Sequence, residues 1–271
     1  MSSKNFQSQS LNDWLFYLEQ QHPKEIELGL TRVKRVAEQS NLLKLSQGQT
    51  VLVAGTNGKG TTIAFMEQYL LSLGFKVGVY SSPHMFTYHE RVRINGKHLT
   101  DEAHIEAFQF IEQQRTHTEL TYFEFGTLAG FKLLQEADLD FVLIEVGLGG
   151  RLDATNIIEH DLAIVTSIGL DHVDWLGSDL NTIAFEKAGI FRPGKPAVVG
   201  EPQKYSAFQQ QANEHNVSQF MQVNDFYRYQ VDAETWDYNS ENVNFEQLCV
   251  PLIPVQNVAT AITALNCLDV E

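Results

Sequence analysis

Apolar residues recur at helical spacing from position 11 to 18, with Asn12 or Asp13 as a cap, and a second amphipathic stretch runs from 30 to about 43. Two helices are thus expected ahead of the first strand. Beyond position 50 the pattern alternates. Residues 50–54, 76–80, 141–147, 162–168 and 197–200 are apolar runs of strand length, whereas 61–73, 121–136 and 180–191 have helical periodicity. Runs of Val, Ile and Leu without polar alternation suit strands covered on both faces, so the pattern predicts an α/β fold with a mostly parallel sheet flanked by helices. Between 216 and 250 the character changes. Closely spaced aromatics, Phe226-Tyr-Arg-Tyr-Gln230 and Trp236-Asp-Tyr238, predict a small antiparallel β extension, and 256–268 read as an Ala- and Leu-rich helix. No repeat or low-complexity linker interrupts residues 1–271.

With 271 residues, 43% of them apolar, the chain can bury a substantial core. Its formal charge of −15, from 34 acidic and 19 basic residues, repels nucleic acid and anionic lipid, and no Lys/Arg-rich run focuses the opposite field. Neither nucleic acid nor membrane is an expected partner. An anionic small molecule needs a local site made of a few cations, backbone amides or a metal ion. Cys249 and Cys267 have neither metal nor redox spacing and read as small buried or half-buried apolar side chains. Nothing at the N-terminus resembles a signal peptide or a membrane span, which points to the cytoplasm.

Such a local site is written into Val51-Leu-Val-Ala-Gly55-Thr-Asn-Gly58-Lys59-Gly60-Thr61-Thr62, where a buried strand, a glycine-rich turn, a lysine and a helix start follow one another. Glycines let backbone N–H groups turn toward an anion, the helix N-terminus adds its dipole, and Lys59 supplies a mobile positive charge for phosphates. The expected sheet is therefore of the P-loop type. The match to the common Walker pattern is imperfect, because Val53 stands in place of the first glycine and Gly60 in place of Ser or Thr. A glycine-rich turn that binds nothing is the competing reading, and it leaves a lysine between two glycines without a packing purpose.

The Gly55-Thr-Asn-Gly-Lys-Gly-Thr61 wording, with both departures, resembles the folate branch of the Mur-ligase superfamily. Further matches follow in family order: Ser81-Ser-Pro-His84, Glu90-Arg-Val-Arg-Ile-Asn-Gly96, Thr121-Tyr-Phe-Glu124, Glu145-Val-Gly-Leu-Gly-Gly-Arg-Leu-Asp-Ala-Thr-Asn156, Leu170-Asp-His172, Asp174-Trp-Leu-Gly177, Glu186-Lys-Ala-Gly-Ile190 and Gln256-Asn257. They cover nearly the whole chain and look most like the bacterial bifunctional dihydrofolate/folylpolyglutamate synthases. The resemblance implies that Gly58, Lys59, Gly60 and Thr61 hold ATP phosphates, that Asn257 lies near the nucleotide base, and that Ser82, Glu145 and His172 ligate Mg2+. A hydroxyl and a carboxylate are hard ligands suited to Mg2+, whereas a histidine would not be chosen from first principles. Taken alone, His172 reads equally well as a hydrogen-bonded loop histidine. Lys187 matches a position that the superfamily often carries as a carbamate, able to hold a second Mg2+; an ordinary helix lysine paired with an acid is the alternative.

By the same resemblance a pterin-bearing substrate lies against Glu27, Leu28, Gly29 and Leu30, against Thr121, Tyr122, Phe123 and Glu124, and against Leu152, Asp153 and Ala154. These stretches offer aromatic surface for a flat ring and carboxylates for its donor edge, although Tyr122 and Phe123 could equally be core residues of a helix start. The implied reaction is an ATP-dependent amide ligation of L-glutamate to 7,8-dihydropteroate or to folates through an acyl phosphate. Lys59, Glu145, His172 and Lys187 are its candidate catalytic residues, and no Ser/His/Asp or Cys/His constellation suggests a covalent route. Residues 1–271 are then the N-terminal and central ATP- and pterin-binding domain, expected to be monomeric, lacking the family's C-terminal domain and better at binding than at turnover. A cell-wall precursor ligase of the same superfamily is the first rival, opposed by Thr121-Tyr-Phe-Glu124 and Leu152-Asp-Ala-Thr-Asn156. A non-catalytic nucleotide-binding module is the second, and it has no need of Ser82, Glu145 and His172 together.

Overall fold

The computed structural model describes residues 10–22 and 27–270. Two helices come first, α1 (Leu11–Glu19) and α2 (Thr31–Gln39). The cap of α1 is Ser10 and not Asn12 or Asp13: Ser10 Oγ accepts the Asp13 amide at 3.3 Å, while Asp13 returns a carboxylate oxygen to the Ser10 amide at 3.0 Å. Asp13 thus completes a capping box three residues into the helix.

The next elements are β1 (Gln49–Ala54), α3 (Lys59–Ser72), β2 (Val77–Tyr80), β3 (Val92–Ile94), β4 (Lys97–His98), α4 (Asp101–Arg115), α5 (Tyr122–Glu136), β5 (Phe141–Glu145) and β6 (Leu162–Val165). Then come α6 (Val173–Leu176), α7 (Leu180–Ala188), β7 (Ala197–Val199), α8 (Ser206–Glu214), β8 (Phe220–Gln222), β9 (Tyr227–Val231), β10 (Thr235–Ser240), β11 (Asn244–Cys249) and α9 (Val255–Leu265). Eight strands make one sheet in the order β4-β3-β2-β5-β1-β6-β7-β8. The run from β2 to β8 is parallel, and only the β3–β4 hairpin is antiparallel at its edge.

Both faces are covered, as the unbroken apolar runs require. Leu52 and Ala54 of β1 pack into the cluster containing α1, α2, α4 and α5, whereas Val51 and Val53 pack into the opposite one with α3, α9 and the β9–β11 sheet. Packing of α5 onto the sheet depends on Gly130, since a Cβ there would meet the Tyr80 ring at 2.6 Å. Tyr80 is fully buried and its hydroxyl is tied to Thr127 at 3.0 Å, so the ring has little freedom to move away.

The small antiparallel extension is narrower than the 216–250 read from the sequence. It consists of β9, β10 and β11, while β8 pairs with β7 in the main sheet, Ala197 opposite Phe220. Three residues of Phe-Met-Gln carry no alternation that would separate β8 from the aromatic-rich segment after it. Among the described residues no helix is long and apolar enough to cross a membrane.

Candidate active site

Three connections at the carboxyl edge of the parallel strands converge. The first is the phosphate loop between β1 and α3. Gly58 sits at φ +88° as the helix cap, and a Cβ there would press on the Asn257 amide at 2.5 Å, so glycine is required twice over. The first helical hydrogen bond is donated by Thr62 to the Gly58 carbonyl at 3.0 Å, leaving the amides of Gly58, Lys59, Gly60 and Thr61 without an acceptor inside the helix. The loop is braced from outside. Thr166 Oγ1 and Ser167 Oγ donate to the Asn57 carbonyl at 2.6 and 2.9 Å, and Asn257 of α9 donates to Thr61 Oγ1 at 2.6 Å. Lys59 Nζ rests on the Gly55 carbonyl at 3.0 Å, with no carboxylate of the described residues in salt-bridge contact.

The second connection leaves β5 at Glu145, and the Ser82 turn after β2 lies beside it. Glu145 is 8% exposed and accepts the Ser82 amide at 3.4 Å. Burial raises its pKa, opposed by the charge of Lys59, the Ser82 amide and the charge of Arg93. Ser82 Oγ is buried and has no hydrogen-bond partner among the described residues. An orphaned hydroxyl beside a buried carboxylate with no ion pair is a place where something else supplies the missing interactions.

Lys187 enters from α7, 4% exposed, with its pKa pushed down to about 8 by burial and then by the charge of Lys59. His172 lies on the wall of a neighbouring cavity, its side chain 47% exposed and 3.7 Å from Asp171, in a left-handed conformation at φ 48°. The structure brings Ser82 and Glu145 into contact and sets Ser82 and His172 on the wall of one cavity. Among the described residues no three His, Cys, Asp or Glu side chains converge.

That cavity has a volume of about 810 Å3 and collects most of the residues expected to hold the acceptor. Glu27, Leu28 and Gly29 line it, as do Thr121 to Glu124 and Leu152 to Ala154. Leu30 does not: it is the residue before α2 and packs against the core. Glu124 is buried, with one oxygen accepting Arg32 Nε and the Thr121 amide, each at 2.8 Å, and the other oxygen without a partner among the described residues. Phe123 lies against Gly147, where a Cβ would meet its ring at 2.5 Å. Asp153 is different. Its oxygens accept the Leu148 amide at 2.8 Å and the Thr155 amide at 2.9 Å, so much of this carboxylate holds the 147–155 turn in shape.

Sequence reasoning missed four polar lining residues: Glu19 and His22 at and just after the end of α1, and His84 and Arg91 around the Ser82 turn. Arg91 belongs to the Glu90-Arg-Val-Arg motif, so its position was visible and its placement was not. It also missed Arg32, which a lone arginine on a short helix does not announce.

A parallel sheet with this loop, and with the orphaned Ser82–Glu145 pair at its edge, places the chain in a known class. Residues 53–268 match the family model of the Mur ligase middle domain, and the chain belongs to that family. Over 96% of its length it is 48% identical to the dihydrofolate synthase/folylpolyglutamate synthase of Escherichia coli (strain K12), and 47% identical to the protein of that name from Haemophilus influenzae. Its structure is similar to that of E. coli FolC in complex with DHPP and ADP, with a TM-score of 0.93, 48% identity, and coverage of 96% of this chain and 62% of that one. A bifunctional folylpolyglutamate synthase/dihydrofolate synthase with Mn, AMPPNP and L-glutamate bound gives a TM-score of 0.89 at 48% identity and the same coverages. The chain spans about three-fifths of the curated relatives it matches, 61% of the first.

The buried lysine yields a prediction. Lys187 falls from 10.5 to about 8 on folding, so between those values the unfolded chain holds more protons and stability rises with pH; below about 8 the whole cost is present. In CO2-free buffer, Lys187→Met is expected to be more stable than the parent at pH 7 by about 3 kcal/mol. That gain should shrink toward zero by pH 10.5 in urea unfolding. A gain independent of pH would mean that the lysine is not buried as a cation.

Proposed function

We propose that this chain is the ATP- and pterin-binding part of a ligase that joins L-glutamate to 7,8-dihydropteroate and to folates. One observation carries the reading. A phosphate loop and an unpaired Ser82–Glu145 couple lie beside a cavity whose buried Glu124 keeps one oxygen free for a donor. The ligands named for the similar structures, ADP, AMPPNP, DHPP and L-glutamate, agree with it.

In this proposal the amides from Gly58 to Thr61 and the Lys59 ammonium hold the ATP phosphates, with Asn257 fixing the loop on its far side. The donor set fits Mg2+, since Ser82 Oγ and the Glu145 carboxylate are hard oxygens in need of a partner, and His172 is a further candidate ligand. When bound, Mg2+ offsets the repulsion between an anionic acceptor and an anionic triphosphate. Glu124 takes the donor edge of the pterin and Phe123 its face, which aims the carboxylate end of the acceptor at the loop. A carboxylate oxygen attacks the γ-phosphorus, giving an acyl phosphate and ADP. The neutral amine of L-glutamate then attacks the acyl carbon, the tetrahedral species expels phosphate, and the amide forms. No protein nucleophile takes part, so positioning and charge carry the catalysis.

Lys187 is a candidate carbamate in this scheme. At a pKa of about 8 a useful fraction is neutral near physiological pH, and a neutral amine can attack CO2 and release a proton. The anion formed would face Lys59 in place of a second cation. The substrates put the activity in the cytoplasm, and a monomer suffices for it.

Two measurements check the proposal. In a chain extended to the length of its relatives, Lys59→Ala and Glu145→Ala should each lower ligase turnover more than about tenfold, over about 1.4 kcal/mol, with the fold retained; near-parental turnover defeats the reading. Incubation of the chain with 13C-bicarbonate should give a carbamate resonance that Lys187→Met lacks. No resonance, or one that persists in the variant, removes Lys187 from the scheme.

A further inference from the structure

Three arginines around the site are matched with acids, and Arg192, outside it, is satisfied by the Ile190, Phe191 and Asn156 carbonyls. Arg32 is paired with Glu27 and Glu124, Arg93 with Glu67, and Arg115 with Glu112. Arg91 is the exception in the acceptor cavity. It is 7% exposed and lines that cavity, yet among the described residues no carboxylate lies within salt-bridge distance of it. Among the described residues its side-chain contacts are with neutral groups. Nε donates to His84 Nδ1 at 2.9 Å, the guanidinium carbon stands 5.5 Å from the Tyr88 ring centroid and 5.7 Å from that of Tyr122, and the Tyr80 hydroxyl adjoins it.

Aromatic faces and one imidazole hold the guanidinium plane in place, but they do not repay the loss of water around a full charge. A buried guanidinium on the wall of a ligand cavity is suited to a planar anion, above all a carboxylate, which it can take with two parallel hydrogen bonds. A neutral carbonyl would satisfy the N–H groups and leave the charge uncompensated. Arg91 is not among the cations that act on Glu145, which are Lys59 and Arg93, so it is left to the acceptor.

From this geometry, and resting on the function proposed above, we infer that Arg91 anchors a carboxylate of the acceptor substrate. Two carboxylates share the chemistry: that of the benzoate ring, free in dihydropteroate, and the α-carboxylate of a glutamate tail, present only in folates. In a folate the benzoate carboxylate has become an amide, so the two sources can be told apart.

The test is equilibrium binding to the chain without metal or nucleotide, for the parent, Arg91→Gln and Arg91→Lys. The ligands are 7,8-dihydropteroate, tetrahydrofolate and 6-hydroxymethyl-7,8-dihydropterin, the last of which has no carboxylate. Arg91→Gln should weaken a carboxylate-bearing ligand about 10- to 100-fold and leave the hydroxymethyl pterin within about twofold, with Arg91→Lys between. Loss confined to dihydropteroate assigns the benzoate carboxylate, loss confined to tetrahydrofolate assigns the tail, and loss of both assigns whichever carboxylate ends the ligand. If Arg91→Gln does not fold, the same comparison is read from Arg91→Lys. Unchanged binding of all three ligands, or equal loss of the carboxylate-free pterin, overturns the inference, the latter because it marks a structural role. A parent chain that binds none of the three overturns the function reading instead.

Discussion

Charges buried without counter-ions set the terms for the rest of this molecule. The buried Glu145 and Lys187 meet the half-buried Lys59 at the carboxyl edge of one parallel sheet, close enough that Lys59 perturbs both, and none forms an ion pair among the described residues. Isolated charges taken out of water cost several kcal/mol each unless something compensates, and in Lys187 the cost shows as a pKa of about 8. A fold selected only for stability would pair these groups with one another or remove them. Keeping them apart makes sense where a polyanion and a divalent cation complete the arrangement.

The scaffold meets that cost through rigidity elsewhere. Six parallel strands, apolar on both faces, hold the β1, β2, β5 and β6 ends in fixed register, so the loop, the Ser82 turn, Glu145 and the Thr166–Ser167 brace arise at one edge. The long-range braces are polar and specific. Asn257, nearly two hundred residues downstream, is hydrogen-bonded to Thr61, and Thr166 and Ser167 hold Asn57. The acceptor cavity is built on the opposite face from α9, by the end of α1, the segment before α2 and the start of α5, so phosphate and acceptor approach the same edge from different sides.

What the sequence disclosed follows from how strongly each feature is encoded locally. The parallel core was legible because runs such as Val51-Leu-Val-Ala54 and Phe141-Val-Leu-Ile144 have no polar alternation, and the phosphate loop because glycine, lysine and a helix start must be adjacent to work. Helix α4 was missed, since its apolar residues at 103, 105 and 107 mimic strand alternation before 108 and 111 restore the helical stripe. The β3–β4 hairpin, three residues and two, is too short to show a period. Resemblance named Ser82, Glu145 and Asp153, but only coordinates reveal that Ser82 Oγ lacks a partner and that Asp153 is largely occupied with its own turn. Leu30 was carried along by a contiguous motif, although the turn into α2 points it at the core. Arg91 could not be told from Arg93 by spacing, because what separates them is Glu67 in salt-bridge contact with Arg93, whereas no carboxylate of the described residues pairs with Arg91.

The central claim, that Lys59 and the Ser82–Glu145 pair are completed by a nucleotide and a divalent cation, is tested most directly by thermal unfolding of this chain with Mg2+ and a non-hydrolysable ATP analogue. At about 100 times the dissociation constant the pair of ligands should add about 2.7 kcal/mol. The gain should need both ligands and disappear in Lys59→Ala. An unfolding temperature unmoved in the parent, or raised equally in Lys59→Ala, would contradict the account.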